Sequence, residues 1–528
     1  MQPHIHQIKN KHGNHIDPIH IPIETEYTAL VVRINENGDP LVIYVGKRLR
    51  NKNEYASMPS FDAKQLNGDY TGLFSSAYTP SGTRNLLEPA IQVIHADGNP
   101  SLELKYVSHQ QDTLDQSHDI GLTAIHLKDP VYPFEVTLYY KTYYKENVIE
   151  QWTSIKHTES DVVRLQKYSS ANLYFSSTNK YYLTHFHGNW AREMSPEEIQ
   201  LTAGIKVLDT KLGTRADLFQ PPSFVLSLHQ PLNHVDEDYG EVFAAVREFV
   251  YDVVDRLFTQ HQKLAYIKWD CNAVIYNAYS ATNPHQSHLY VDYVRGLYSV
   301  LDRLRKKYPS VSIMLCSGGG GRIDYGVLQY FTEFWPSDNT DGLERIFIQW
   351  SYSFFFPAIS ICNHVTDWGK QSLKFRTDVA MMGKLGYDIV VSKLDENELL
   401  FSQQALQSYA RLKDIIWHGD LFRLVSPYRH EHDIASLMFV SENQDKAIWF
   451  TYLISNRYCA GSNGVVRLKG LDPMRAYTIQ EINIYPGADI STIIFQNSLS
   501  GDYLMTFGFD PMVDTRRPSV VLELTTHI

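Results

Sequence analysis

The feature that most constrains this chain is a change of hydrophobic period near Glu241. From Glu24 to about Phe243, short runs such as TALVVRI, LVIYVG, FEVTLYYKTYY and SFVLSLH are separated by turn residues such as NENGDP. Alternation with period two belongs to half-buried strands, so this stretch is expected to form an all-β sandwich. In EVFAAVREFVYDVVDRLF the apolar residues Val246, Phe249, Val250, Val253 and Leu257 fall near helical spacing instead. A chain that changes period in this way does not continue the same sheet, and a second domain begins there.

Beyond that point, short apolar runs alternate with amphipathic segments. LAYIKWD precedes SHLYVDYVRGLYSVLDRLRKKY, VSIMLCSGGGG precedes TEFWPSDNTD, and FFPAISICNH leads into FRTDVAMMGKLG and DIVVS. Repetition of strand and helix predicts a parallel α/β domain, either an open sheet or a barrel. After a helix near Glu396 to Ile416, the runs ASLMFVSE, KAIWFTYLI, GVVRLKG and YTIQEINI return to period two. The expected division is a flexible terminus over 1–23, a β-sandwich over 24–243, a (β/α) barrel domain over 244–422 and a C-terminal antiparallel β domain over 423–528. At roughly 100–200 residues per domain, 528 residues also suggest about three folded domains.

Composition excludes several classes of function. Lys and Arg number 48 against 59 Asp and Glu, a net charge of −11, which argues against a nucleic-acid or anionic-membrane surface. Aromatic residues make up 13%, enough to leave rings for stacking on sugars. Cys271, Cys316, Cys362 and Cys459 are far apart and form no C-x-x-C, so neither a zinc site nor a disulfide framework is expected. No run approaches the ~18 apolar residues of a membrane span, and the opening MQPHIHQIKNKHGNHIDPIH lacks the apolar core of a signal peptide. A cytoplasmic location is the default expectation, and a trimmed leader would leave the same trace.

Three segments carry candidate chemistry. In LAYIKWDCN a strand turns Lys268, Asp270 and Asn272 to one face, because side chains two residues apart point the same way. At the C-terminal end of a barrel strand, that face is where active sites are built; a structural ion pair is an equally good reading of the segment alone. Trp269 faces the opposite way and is expected to pack. In CSGGGGRIDYG four glycines allow close backbone approach, but Arg322 follows Gly321 where a phosphate loop needs Lys and Ser or Thr. In EFWPSDNTDGLERI, Asp341 with Glu344 three residues on has the form of a helix cap, which leaves Asp338 free to serve as a general acid/base. Two carboxyls on two strand ends make a glycosidase pair. Trp335 and His364 are expected to pack or hydrogen-bond rather than react.

Taken together, YIKWDCN, MLCSGGGGRIDYG, FWPSDNTDGLERIFIQW, HVTDW and FRTDVAMMGKLGYD resemble the family 36 glycoside hydrolases, the microbial α-galactosidases. The N-terminal runs IETEYTALVVRI, YVGKRL and GTRNLLEPAIQV and the C-terminal runs LKGLDP, YTIQEINIYPG and GDYLM resemble the same family. The resemblance implies Asp270 as nucleophile and Asp338 as acid/base of a retaining mechanism. It implies Lys268 and Asn272 on sugar hydroxyls or orienting Asp270, and Cys316 and Gly318 against the C2 position. It implies α-galactoside oligosaccharides of the melibiose and raffinose type as partners, no cofactor, no metal, and a possible homo-oligomer.

Against that family the chain is expected to be short. About 177 residues separate Phe243 and Gly419, whereas a complete (β/α)₈ barrel takes ~250. The sequence contains no Asp-Asp pair, so the family's Asp-Asp-Gly-Trp motif, whose aspartates hold O4 and O6 of galactose, is absent. The expectation is an internal deletion of the first half of the barrel. Two further readings accompany hydrolysis: a catalytically silent remnant that only binds sugar or a partner, and galactosyl transfer to another sugar by the same two carboxylates.

Overall fold

The computed structural model describes residues 6–7, 18–58, 75–83, 88–115, 117, 119–175, 181–202, 204–209, 219–228, 247–272, 289–429, 433–455, 464–488 and 494–526. The chain divides into two compact units, Met1–Thr178 and Asn179–Ile528.

The first unit is all β. Strands Ile19–Glu24, Thr28–Ile34 and Pro40–Lys47 form an antiparallel meander. A five-stranded antiparallel sheet runs in the order His6–Gln7, Lys105–Thr113, Ile120–Lys128, Phe134–Tyr143 and Val148–His157. Phe134–Tyr143 shows the period-two pattern in full: Phe134, Val136, Leu138 and Tyr140 are buried, while the residues between them are half exposed. These side chains share one core with Ile21, Ile23, Val32, Ile91 and Val93, so the sheets pack as a sandwich. Each such side chain contributes on the order of 2 kcal/mol by burial. Ile21 and Ile23 correct one expectation, since the last residues of the stretch read as a flexible terminus are a core strand; residues 1–5 and 8–17 lie outside the described residues.

The second unit opens with a three-stranded antiparallel sheet, in which Tyr181–Asn189 lies between Arg192–Gln200 and Phe224–Leu228. The expected parallel α/β region follows. Tyr266–Asp270 pairs in parallel with Ser312–Cys316, which pairs with Glu333–Phe334. An isolated parallel bridge from Phe334 to Ile361 carries the arc to Cys362–Val365 and Lys384–Tyr387, also parallel. Helices Leu289–Lys307, Gly342–Tyr352 and Leu373–Ala380 connect successive strands. Consecutive strands are neighbours, as in a barrel, yet among the described residues the arc stays open and Tyr266–Asp270 is its edge. That edge explains why Lys268 and Asp270 are exposed.

Helix Glu396–His418 starts at a capping box: Asp395 accepts from the Glu398 N–H at 2.8 Å and Glu398 accepts from the Asp395 N–H at 3.1 Å. Its inner face, Tyr409, Leu412 and Ile416, packs on Leu437, Phe439 and Phe450 of a six-stranded antiparallel C-terminal sheet. The opposite face of that sheet buries Met438, Trp449 and Leu522, so strand Ile434–Val440 is buried throughout. A buried carboxylate joins helix Leu373–Ala380 to the same sheet, Asp378 accepting from Lys374 at 2.6 Å, Ser519 at 2.7 Å and Asn483 at 3.0 Å. Full pairing of this kind is what a buried charge requires.

Candidate active site at the strand ends

The parallel register brings Asp270 beside Cys316 and Lys268 beside Met314. Trp269, on the other face, meets the edge of Phe331 at 6.4 Å, as period two demands. Just past the strand, the Asn272 amide donates to an Asp270 oxygen at 3.3 Å. Cys316 is fully buried against Met314, Trp335 and Cys362, and burial pushes its thiol up to about 11. Lys268 opposes that shift while Asp270 and Asp338 add to it, so one thiol feels all three charges. The strand ends therefore gather Lys268, Asp270 and Asp338 around Cys316.

The glycine run after Cys316 joins the neighbouring loops. Gly318 and Gly319 have φ of 58° and 94°, left-handed conformations that suit residues without a Cβ. A Cβ on Gly319 would lie 2.7 Å from a Glu193 carboxyl oxygen and 3.0 Å from the Ser337 Cα. The Gly320 N–H donates to the Pro336 carbonyl at 3.1 Å, and Ser317 Oγ donates to the Cys271 carbonyl at 2.6 Å.

Asp338 sits on the loop after Glu333–Phe334, and two indoles hold it. Trp335 Nε1–H donates to Oδ1 at 3.1 Å and Trp190 Nε1–H donates to Oδ2 at 2.7 Å. The Trp335 ring is buried, with the Lys268 ammonium 5.2 Å and the Arg345 guanidinium 4.7 Å from its centroid and the His364 ring edge-on at 4.7 Å. Burial lowers His364, and the Arg345 charge lowers it further. Arg345 is itself buried and drawn down to about 10. It donates to the carbonyls of Asn339 at 2.8 Å and Ser337 at 3.3 Å, which fixes the loop backbone on both sides of Asp338. Asp341 caps the next helix, accepting from Leu343 at 2.8 Å and Glu344 at 3.2 Å, the structural role its spacing implied.

Sequence reasoning missed the third side of this arrangement. The turn between Tyr181–Asn189 and Arg192–Gln200 delivers Trp190, 53% exposed yet bonded to Asp338. Ala191 is left-handed at φ 61°, its N–H donating to Glu193 at 3.1 Å and its carbonyl accepting from Asn339 at 3.1 Å. Glu193 is 3% exposed, accepts from the Ser337 hydroxyl, and is pushed up to about 7 by burial. The available signal was the turn itself, an aromatic followed by a carboxyl in Gly-Asn-Trp-Ala-Arg-Glu, but nothing local says which loop it meets. Among the described residues no group of His, Cys, Asp and Glu is arranged to hold a metal ion, and no helix is long and apolar enough to cross a membrane.

Comparison with known proteins covers nearly the whole chain. Residues 38–251 match the glycosyl hydrolase family 36 N-terminal domain, residues 235–419 match melibiase, and residues 434–524 match the family 36 C-terminal domain. Alpha-galactosidase 1 of Pediococcus pentosaceus is 34% identical over 278 residues, 51% of this chain and 36% of that protein. Alpha-galactosidase AgaA of Geobacillus stearothermophilus is 34% identical over 238 residues, 43% of this chain and 32% of that protein. The aligned stretch thus spans about a third of the curated relatives it matches. The crystal structure of the same AgaA superposes with a TM-score of 0.82 at 19% identity, covering 96% of this chain and 100% of that one. The α-galactosidase of Lactobacillus brevis superposes with a TM-score of 0.80, covering 97% and 98%. An AgaA variant has been solved in complex with raffinose.

These superpositions correct the expectation of an internal deletion. A chain that has lost half of its catalytic barrel does not account for 98–100% of an intact relative. The residues around the supposed junction, 229–246, lie outside the described residues.

Proposed function

We infer that this chain, whose terminal segments match family 36 domains and whose middle matches melibiase, is a member of glycosyl hydrolase family 36, and we propose that it is a retaining exo-α-galactosidase. The observation that carries this reading is the pair of carboxyls at the ends of two strands that flank Ser312–Cys316, one oriented by register and one by two indole donors. In retaining glycosidases such a pair stands ~5–5.5 Å apart around the scissile bond.

Asp270 attacks the anomeric carbon as the bond to the leaving oxygen breaks, and the Asp338 proton passes to that oxygen. Water then attacks the galactosyl ester, giving its proton back to Asp338 and freeing Asp270. The Asn272 amide on Asp270 holds the attacking carboxylate, while Lys268 supplies a cation for sugar hydroxyls. Gly318 lines the C2 side of the sugar, with Cys316 buried beside it. The substrates are α-galactoside oligosaccharides of the melibiose and raffinose type, with release of terminal galactose.

The test is hydrolysis of p-nitrophenyl α-galactoside, with the anomer of the first-formed galactose read by NMR. Wild type is expected to release the α-anomer, and Asp270→Asn and Asp338→Asn each to lose about 10³-fold or more in kcat. Full activity in Asp270→Asn removes the assignment. A first-formed β-anomer removes the retaining mechanism and leaves hydrolysis standing.

A further inference from the structure

The Glu193 carboxyl joins the hairpin turn to the loop that carries Asp338 and lies against the glycine run. Its Oε1 accepts from the Ala191 N–H of the hairpin turn at 3.1 Å, and its Oε2 accepts from the Ser337 hydroxyl, on the residue before Asp338. The same Oε1 occupies the space that a side chain on Gly319 would fill. Two neighbours close the circuit: Asn339 Nδ2 donates to the Ala191 carbonyl at 3.1 Å, and Ser337 Oγ accepts from the Asn339 N–H at 3.0 Å. An acidic residue with 3% exposure is expensive to bury unless its hydrogen bonds are needed.

The hairpin turn explains the need. Ala191 and Met194 both lie in the left-handed region, at φ 61° and 58°, conformations that alanine and methionine hold only under external constraint. The constraint on Ala191 is the pair of bonds to Glu193 and Asn339, one on its N–H and one on its carbonyl. That conformation aims Trp190 at Asp338 Oδ2. Loss of the Glu193 carboxyl therefore frees the turn, the Trp190 indole and the Ser337 hydroxyl together.

We propose that Glu193 is a positioning residue for proton transfer: by bonding the hairpin turn to the Ser337 hydroxyl it fixes the direction in which Asp338 presents its proton to the leaving oxygen. This rests on the reading of Asp338 as acid/base. Glu193 acts through the Asp338 loop and the hairpin turn, so its effect falls on the proton transfers of Asp338 and spares the approach of Asp270 to the anomeric carbon. Galactosylation with a leaving group that departs unprotonated is insensitive to it and galactosylation with a sugar leaving group is not, while water attack on the ester is common to both substrates.

The experiment compares Glu193→Ala with wild type on two substrates, melibiose and 2,4-dinitrophenyl α-galactoside, with thermal melts by circular dichroism. The expected loss in kcat/KM, which reports the galactosylation step alone, is about 30-fold or more on melibiose and about threefold or less on the dinitrophenyl substrate, since general acid catalysis contributes about 10²–10⁴. Glu193→Gln, which keeps an acceptor for Ala191, is expected to recover about tenfold on melibiose relative to Glu193→Ala. Ser337→Ala, which removes one bond of the circuit without opening a large cavity, gives the same substrate bias if Glu193→Ala does not fold. Equal loss on both substrates overturns the positioning role while leaving the galactosidase reading intact. A folded wild-type chain that cleaves neither substrate overturns the galactosidase reading and the positioning role with it.

Discussion

The two carboxyls of the site are held by different means. Asp270 ends a strand whose parallel pairing with Ser312–Cys316 sets its position, and its recorded side-chain partner is an exposed amide at 3.3 Å. Asp338 lies on a loop without ladder hydrogen bonds of its own, and five side chains do the work that register does for Asp270. Trp190 and Trp335 hold its oxygens, Arg345 holds the carbonyls around it, and Glu193 and Asn339 bind the turn that carries Trp190. On the mechanism proposed above, a nucleophile that attacks one fixed carbon is well served by a rigid strand. An acid/base group acts in both chemical steps, and a loop braced by side chains gives it a defined orientation at a point where no strand continues.

The contrast is broken or sharpened by three substitutions. Arg345→Ala removes the buried guanidinium and leaves the Ser337 and Asn339 carbonyls without their donor, so the expected loss of unfolding free energy is about 3 kcal/mol, read by urea denaturation. Retention of wild-type stability would show that the loop needs no brace.

Glu193 gives a pH signature of comparable size. Its folded carboxyl is raised to about 7 by burial, so the folded state favours the protonated form. No penalty exists below the ordinary carboxyl range; the penalty grows as pH rises through that range and is complete above 7, at about 3 kcal/mol. The carboxyl is opposed there by the Arg345 charge, which pulls it back down. Glu193→Gln is therefore expected to gain stability relative to wild type between pH 5 and pH 8, measured as the difference between the two unfolding curves. Parallel curves would mean that the carboxyl is solvated.

The smallest effect is expected on the strand side. Asn272→Ala removes an exposed bond, and unfolding free energy should change by no more than about 0.5 kcal/mol. A loss matching that of Arg345→Ala would erase the distinction between the two supports.

That distinction also marks what was legible in the sequence. Everything that depends on local period could be read: the sandwich strands, the strand and helix alternation, the two carboxyls at strand ends and the cap at Asp341. The brace could not. Glu193 and Met194 are buried side by side in a strand, which breaks the alternation that sequence reading relies on; Met194 does so through its left-handed backbone. Glu197 and Glu198, three and four positions after Met194, are exposed, so residue type alone does not separate the buried carboxyl from its neighbours. The run also reads as one more sandwich hairpin, although it belongs to the unit that contains the site. The deletion inferred from chain length failed for a related reason. Counting residues against a typical barrel says nothing about how much of the fold those residues trace.

The bond from Trp190 to Asp338 spans 148 residues of sequence, and that from Ser337 to Glu193 spans 144. Closing so long a loop costs conformational entropy before any contact repays it, and non-local contacts of this kind form slowly. On the ribosome the hairpin emerges long before the loop it must meet, so its indole and buried carboxyl wait without partners while the intervening strands are made. The geometry around Asp338 is thus a late product of folding, assembled after the secondary structure that surrounds it.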